Sequence, residues 1–326
     1  MANDQDKTSA GASSKPKGSP RFDLAFQPEY GTTVPVATDV LRIVCENPSP
    51  FTFKGTGTFI VTGGPGSREA AVIDPGPIDE KHLGAILGAL DGYTLTHILV
   101  THTHHDHSPL AQALKEATGA PITGCAAWSP RQSAGGEVKR GLDAANDADY
   151  TPDETMSDGD TIGIGGRVLT AIATPGHAAN HLAFSLDDEV LFPGDHVMGW
   201  STTVIAPPDG HMRSYMESLE KILAREEAHY LPSHGGEIRN PHRYVRGLIT
   251  HRKQRETQIV KRLKEGDTTI SQMVPKLYPE LDAKLHFAAA LSVRAHIDDL
   301  IERGIAERID GDDAYRLVQG FKRRER

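Results

Sequence analysis

The run Thr101-His102-Thr103-His104-His105-Asp106-His107 carries four metal-ligand side chains, His102, His104, Asp106 and His107, and three more follow at long spacings, His177, Asp195 and His234. Imidazole nitrogens and carboxylate oxygens are the donors that hold hydrolytic divalent cations. His102 and His104 are two residues apart, so an extended backbone turns both to one side, where His177 would complete a three-nitrogen site. Asp106 and His107, in a loop already turning, can face the other way and join His234 around a second ion. Asp195 can then offer one oxygen to each ion. Two such ions, about 3.5–4 Å apart, share a water, lower its pKa towards neutrality and polarise a scissile carbonyl or phosphoryl oxygen. The nucleophile is then a metal-bound hydroxide, with Asp106 expected to orient it, and no side chain attacks. Asp74, in Asp74-Pro75-Gly76, is the candidate carboxylate for the remaining N–H of a ligand ring; a plain strand-end turn is the alternative. His105, His181 and His196 lie near these residues and take no metal role.

Short apolar runs deliver each of these side chains. Leu41–Cys45, Thr58–Val61 and Ala70–Ile73 are expected strands, and Ile98–Val100 ends where the histidines begin. Ser108 as N-cap and Pro109 at the first helical position open a helix that ends near Gly119, making the cluster a strand-to-helix loop. Val168–Ala173 leads to His177. Leu182–Ser185 and Val190–Phe192, turning at Asp187-Asp188, form a hairpin that leads to Asp195, and Tyr230-Leu231 leads to His234. Strands alternating with helices, with chemistry at strand ends, predict a layered α/β sandwich.

The pattern changes after Pro241. Arg243–Glu265 has helical spacing and a surplus of Arg and Lys. Residues 266–320 then give a helix start at Thr268–Ser271, a helix over Ala288–Arg303, a stop at Gly304 and a hairpin, Ile305–Ile309 with Ala314–Val318, turning through Asp310-Gly311-Asp312. Helices followed by a small hairpin resemble a winged-helix unit. The expected organisation is a disordered tail over 1–24, a catalytic domain over 25–240, a basic connecting helix over 241–265, the winged-helix-like unit over 266–320 and a basic tail over 321–326.

The 326-residue chain has a net charge of −9, which argues against coating nucleic acid by charge alone. Cys45 and Cys125 stand far apart, so neither a disulfide framework nor a thiolate zinc site is indicated. A soluble, cytoplasmic protein is expected, with no export signal and no membrane span.

The ordered set Thr-His-x-His-x-Asp-His, Thr174-Pro175-Gly176-His177, Gly194-Asp195 and Ser233-His234-Gly235-Gly236 resembles the metallo-β-lactamase superfamily over about Leu41–Gly236. Asn47-Pro48-Ser49-Pro50-Phe51-Thr52, Gly55-Thr56-Gly57-Thr58, Gly194-Asp195-His196, Ser201-Thr202-Thr203-Val204 and the helix with His251-Arg252 extend the likeness to the metallo-β-lactamase-like protein 2 group. The resemblance implies a four-layer αββα sandwich followed by a small helical winged-helix-like domain, with two metal ions at the sheet edges, zinc first and iron or manganese as alternatives. Pro109 and Leu110 depart from the glycines common there. A bridging Asp195 with His234 resembles the glyoxalase II and RNA-processing branches, and His104 stands where oxygen-reducing relatives usually have a carboxylate.

A small ester or thioester is the expected substrate, with Ser201, Thr202, Arg246, Arg252 and Lys253 as candidate contacts. Single-stranded RNA is the alternative, because a basic helix could meet phosphates. A metabolite-sensing DNA-binding regulator comes last, since Ala288–Arg303 mixes Arg294 with Asp298, Asp299 and Glu302. The added unit is expected to pack beside the active site or to mediate self-association in a homo-oligomer.

Overall fold

The computed structural model describes residues 20–130, 145–282, 285–309 and 314–320. One sheet runs in chain order through β1 (Val34–Ala37), β2 (Val40–Val44), β3 (Gly57–Thr62), β4 (Glu69–Ile73), β5 (Thr94–Val100), β6 (Ile122–Gly124) and β7 (Glu154–Thr155). It is antiparallel up to β4 and parallel from β4 onward. The second sheet has the order β12-β11-β10-β9-β8, from β8 (Thr161–Ile164), β9 (Arg167–Ala173), β10 (Leu182–Leu186), β11 (Val190–Phe192) and β12 (His229–Tyr230). Only its β11–β12 pair is parallel.

Side-chain alternation explains the layering. Leu182, Phe184 and Leu186 of β10 point into the core shared with the first sheet, whereas Ala183 points to the opposite face. Phe59 of β3 and Phe192 of β11 meet across that core with ring centres 5.2 Å apart. β3 and the inner part of β4 are buried on both faces and so read as nearly unbroken apolar runs. Helices α1 (Glu80–Ala89) and α2 (Leu110–Thr118) supply Ile86, Leu110, Ala111 and Leu114 to the first sheet's side. Helices α3 (Met212–Leu223) and α4 (Pro241–Lys264) cover the second sheet with Tyr215, Leu219, Ile222, Val245 and Leu248. The result is the four-layer αββα sandwich expected above.

A third core joins Ile259, Val260 and Leu263 of α4 to α5 (Ile270–Leu277), α6 (His286–Glu302) and the β13 (Ala306–Arg308) and β14 (Tyr315–Leu317) hairpin, where Tyr315 is fully buried. α4 is therefore more than a connector, because its first half closes the sandwich and its second half nucleates the winged helix. Among the described residues no helix is long and apolar enough to cross a membrane.

Several local expectations shift. α2 starts at Leu110 with Pro109 at its N-cap and no side-chain cap, and the Ser108 hydroxyl instead donates to Asp147 Oδ2 at 2.8 Å. Asp187 and Asp188 adopt left-handed φ of 50° and 55° in the three-residue connection between Leu186 and Val190, where the Glu189 amide donates to Leu186 O at 2.9 Å. Within the stretch read as a tail, Phe22 packs edge-on against Tyr244 and the Asp23 amide donates to Gly199 O, so contacts with the fold begin before residue 25. Residues 1–19, the Asp310-Gly311-Asp312 turn and the basic end 321–326 lie outside the described residues.

Gly176 shows how closely α3 approaches the turn before His177. Its φ is +140°, and a Cβ there would lie 2.3 Å from Tyr215 Cα. Gly176→Ala is expected to destabilise the protein by about 2–4 kcal/mol, from backbone strain plus overpacking. A denaturant titration that leaves the unfolding midpoint unchanged would contradict this.

Candidate metal centre

Every candidate ligand sits in a loop directly after a strand. His102, His104, Asp106 and His107 follow β5, His177 follows β9, Asp195 follows β11 and His234 follows β12. The structure brings all seven together as two neighbouring groups, each able to hold a metal ion: His102, His104 and His177, and Asp106, His107, Asp195 and His234.

In the first group, His104 Nδ1 lies 2.9 Å from His102 Nε2 and 3.0 Å from His177 Nε2. In the second, His234 Nε2 lies 3.1 Å from Asp106 Oδ2 and 3.2 Å from Asp195 Oδ1, with His107 Nε2 3.4 Å from Asp106 Oδ2. A cation about 2.1 Å from tetrahedrally placed donors holds them about 3.4 Å apart, so both groups have nearly the right span. Asp195 faces both: Oδ1 lies 3.6 Å from His107 Nε2, and Oδ2 lies 3.6 Å from His177 Nε2.

Hydrogen bonds on the far sides of the rings fix which nitrogen is free. His177 Nδ1 donates to Val204 O at 2.7 Å and His234 Nδ1 to Gly55 O at 3.2 Å. His107 Nδ1 donates to Asp74 Oδ2 at 2.8 Å. The Thr101 hydroxyl donates to Asp74 Oδ2 at 2.8 Å, so its oxygen accepts from His102 Nδ1 at 3.0 Å. Each of these four rings thus presents Nε2 to the centre, the arrangement that second partners impose on metal-binding imidazoles. His107 Nε2, His234 Nε2 and Asp195 Oδ1 are buried without a hydrogen-bond partner, which is costly unless something charged meets them. A divalent cation fits that donor set.

The two groups differ electrostatically. Burial, together with the neighbouring rings, pushes the His102 pKa well below the ordinary histidine value and that of His104 to about 3. Burial opposes charge at His107 and His234 too, but Asp106 and Asp195, with Asp74 for His107, overcome it and raise both, His234 to about 10. Against their own burial, Asp106 and Asp195 are held well below the usual carboxylate range by the same two rings. The second group is therefore built to stabilise positive charge, whether as protons or as a metal ion.

Asp74 lies at the strand-end turn and also carries out the supporting contact anticipated for it. It is fully buried at φ 50°, and its carboxylate additionally accepts from the Thr101 amide at 2.8 Å and the Ser233 hydroxyl at 3.1 Å. His181 and His196 are buried beside the centre. His181 accepts from the Asp195 amide at 3.2 Å, and His196 rests 4.8 Å from the Tyr215 ring.

A cavity of about 330 Å³ opens onto the metal groups, bounded by His104, His105, Asp106, His177, Asp195, Asn146 and Asp209 and by an apolar wall of Phe51, Met198, Val204 and Ala206. None of the anticipated substrate contacts lines it. Ser201 and Thr202 are half-buried outside this wall, while Arg246 and Lys253 are exposed on α4, with Lys253 3.6 Å from Glu220. Arg252 is buried and donates to the Thr203 carbonyl, so it is not available to a ligand in the cavity. Its place was readable from the helical period, since position 252 is seven after Val245 and seven before Ile259, on the apolar stripe. The apolar wall had no comparable signal, because Phe51 comes from the loop between β2 and β3 and Met198 and Val204 from the irregular loop between β11 and α3, which follow no helical or strand period.

Residues 54–234 match the Metallo-beta-lactamase superfamily, and residues 269–314 match the Beta-lactamase associated winged helix domain. A Beta-lactamase-like protein 2 homolog of Drosophila melanogaster is 31% identical over 82% of this chain and 90% of its own length. An atrochrysone carboxyl ACP thioesterase of Cryptosporiopsis sp. is 26% identical over 88% of this chain and 85% of its own. The crystal structure of a beta-lactamase domain protein from Burkholderia ambifaria superposes with a TM-score of 0.73 at 22% identity, covering 91% of this chain and 97% of that one. With the sandwich, the ligand-bearing loops and the appended winged helix all in place, the chain belongs to the metallo-β-lactamase superfamily.

Proposed function

We propose that the protein is a two-zinc hydrolase of a small ester or thioester with an uncharged acyl group. The observation that carries this reading is the cavity wall, where Phe51, Met198, Val204 and Ala206 face the same space as His104, Asp106, His177 and Asp195. Such a surface accepts a hydrocarbon or aryl acyl portion and brings its carbonyl to the metal groups. Its charged side chains, among the described residues, are the acids Asp106, Asp195 and Asp209, with no Lys or Arg. Beyond the two ions, the described lining offers no cationic side chain to the flanking phosphates of a chain of nucleotides, which disfavours RNA. The likeness to a relative named as an acyl-carrier thioesterase supports the same direction.

In this reading His102, His104 and His177 would hold one ion and Asp106, His107, His234 and Asp195 the other, with the Asp195 carboxylate facing both groups. Bound zinc lowers the pKa of coordinated water and polarises the scissile carbonyl; iron or manganese would suit the nitrogen and oxygen donors as well. Asp106, with 26% of its side chain open, is the carboxylate placed to hold and orient the attacking water. The apolar wall excludes bulk water and aligns the acyl group.

Purified protein is expected to hold close to two metal ions per chain by elemental analysis. Asp195→Ala and His104→Ala should each lower bound metal and cut turnover by more than about 100-fold while the protein remains folded. Full activity in either variant would defeat the assignment. Tested against acyl thioesters, esters and a labelled single-stranded RNA, the protein should cleave the acyl substrates only, and a chelator should stop it. Phe51→Ala, which removes a half-exposed side chain, should reduce kcat/KM for medium-chain acyl thioesters about tenfold and leave acetyl thioesters nearly unaffected. Chelator-sensitive cleavage of RNA with intact thioesters would favour the other branch.

A further inference from the structure

Two metal-facing side chains on the second sheet, His177 and Asp195, depend on one dipeptide that is itself held from behind. The Thr203 hydroxyl donates to the backbone carbonyls of Asp195 at 2.8 Å and His196 at 3.2 Å. The next residue offers its carbonyl to His177, through the Nδ1–H that orients the ring. Thr203 is 2% exposed, and its own carbonyl accepts from Arg252 Nη2.

Arg252 is an expensive residue to place there. It is 3% exposed, lies 5.2 Å over the Tyr215 ring and has no ion pair among the described residues, and its Nε lacks a hydrogen-bond partner. A buried guanidinium without a carboxylate is destabilising compared with an apolar residue of similar size. Arg252 is the one charged side chain among the buried residues of α4, so packing alone does not call for an arginine there. The same helix grips the loop a second time, through Tyr244 Oη donating to Met198 O at 2.7 Å. These two anchors hold the segment that leaves Asp195, borders the cavity with Met198, Val204 and Ala206, and supports His177.

We propose that Arg252 is a positioning residue for the metal centre: through Thr203 and Val204 it fixes the backbone that aims Asp195 and His177. It touches neither substrate nor metal, and its effect reaches both ions because Asp195 faces both groups. This rests on the reading of the site as a metal centre.

The test compares the parent protein with Arg252→Lys, Arg252→Met, Thr203→Val and Thr203→Ser, measuring zinc content, zinc affinity by chelator competition, and amide hydrogen exchange over residues 195–206 in metal-free protein. Thr203→Val and Arg252→Met are expected to weaken zinc about 10- to 100-fold and to speed exchange in that segment. Thr203→Ser, which keeps the hydroxyl, should restore most of the affinity, and Arg252→Lys should fall between. If the Arg252 variants do not fold, the Thr203 pair decides. A parent that binds no zinc overturns the metal reading and this inference together. A parent that binds zinc, with folded variants matching it in affinity and exchange, overturns the positioning role alone.

Discussion

The carboxylate of Asp74 is the interaction on which the site's architecture turns. It is fully buried at the end of β4 and collects the Thr101 amide, the Thr101 hydroxyl, the His107 ring and the Ser233 hydroxyl. Those partners belong to the loop after β5 and the loop after β12, which lie in different sheets. One buried anion therefore ties the sheets together at the edge where the ligands gather, and its charge is repaid by several donors at once. Through Thr101 it also fixes the His102 ring, so histidines of both metal groups answer to the same acid.

The two halves of the centre are supported unequally. His102 and His107 hang from Asp74 and the parallel strands of the first sheet, where β5 is hydrogen-bonded on both sides. His177 and Asp195 leave the smaller sheet and rely on a loop braced by α4. The donor sets differ in the same sense, neutral nitrogens on one side and acids with raised histidines on the other. An ion in the first group would have only imidazoles around it apart from Asp195, whose carboxylate faces both groups, so its placement matters to both.

Much of this was legible in the residues. Ile98–Val100 is apolar and branched, it stops at Thr101, and ligands spaced two apart in an extended segment must share a side, so the sequence alone places His102 and His104 together. Spacing likewise brought His177, Asp195 and His234 to strand ends. α1 and β1 carried little signal: Gly84 and Gly88 dilute the helical propensity of α1, and β1 is an edge strand with exposed Val34. Of the candidate contacts on the basic helix, helical period turns Arg252 inward, whereas Arg246 and Lys253 stay exposed. A cavity wall built from two irregular loops, one with Phe51 and the other with Met198 and Val204, has no periodic signature, so it emerges only once the chain is folded.

The double membership of α4 has a consequence for how the molecule can vary. A helix that closes one core with Val245 and Leu248 and seeds another with Ile259 and Leu263 leaves no hinge at the junction. Severing the appended unit would leave the apolar face of the second half of α4, with Ile259, Val260 and Leu263, bare in water. Any displacement of α4 by its second core would thus be felt by the loop that α4 braces beside the ligands.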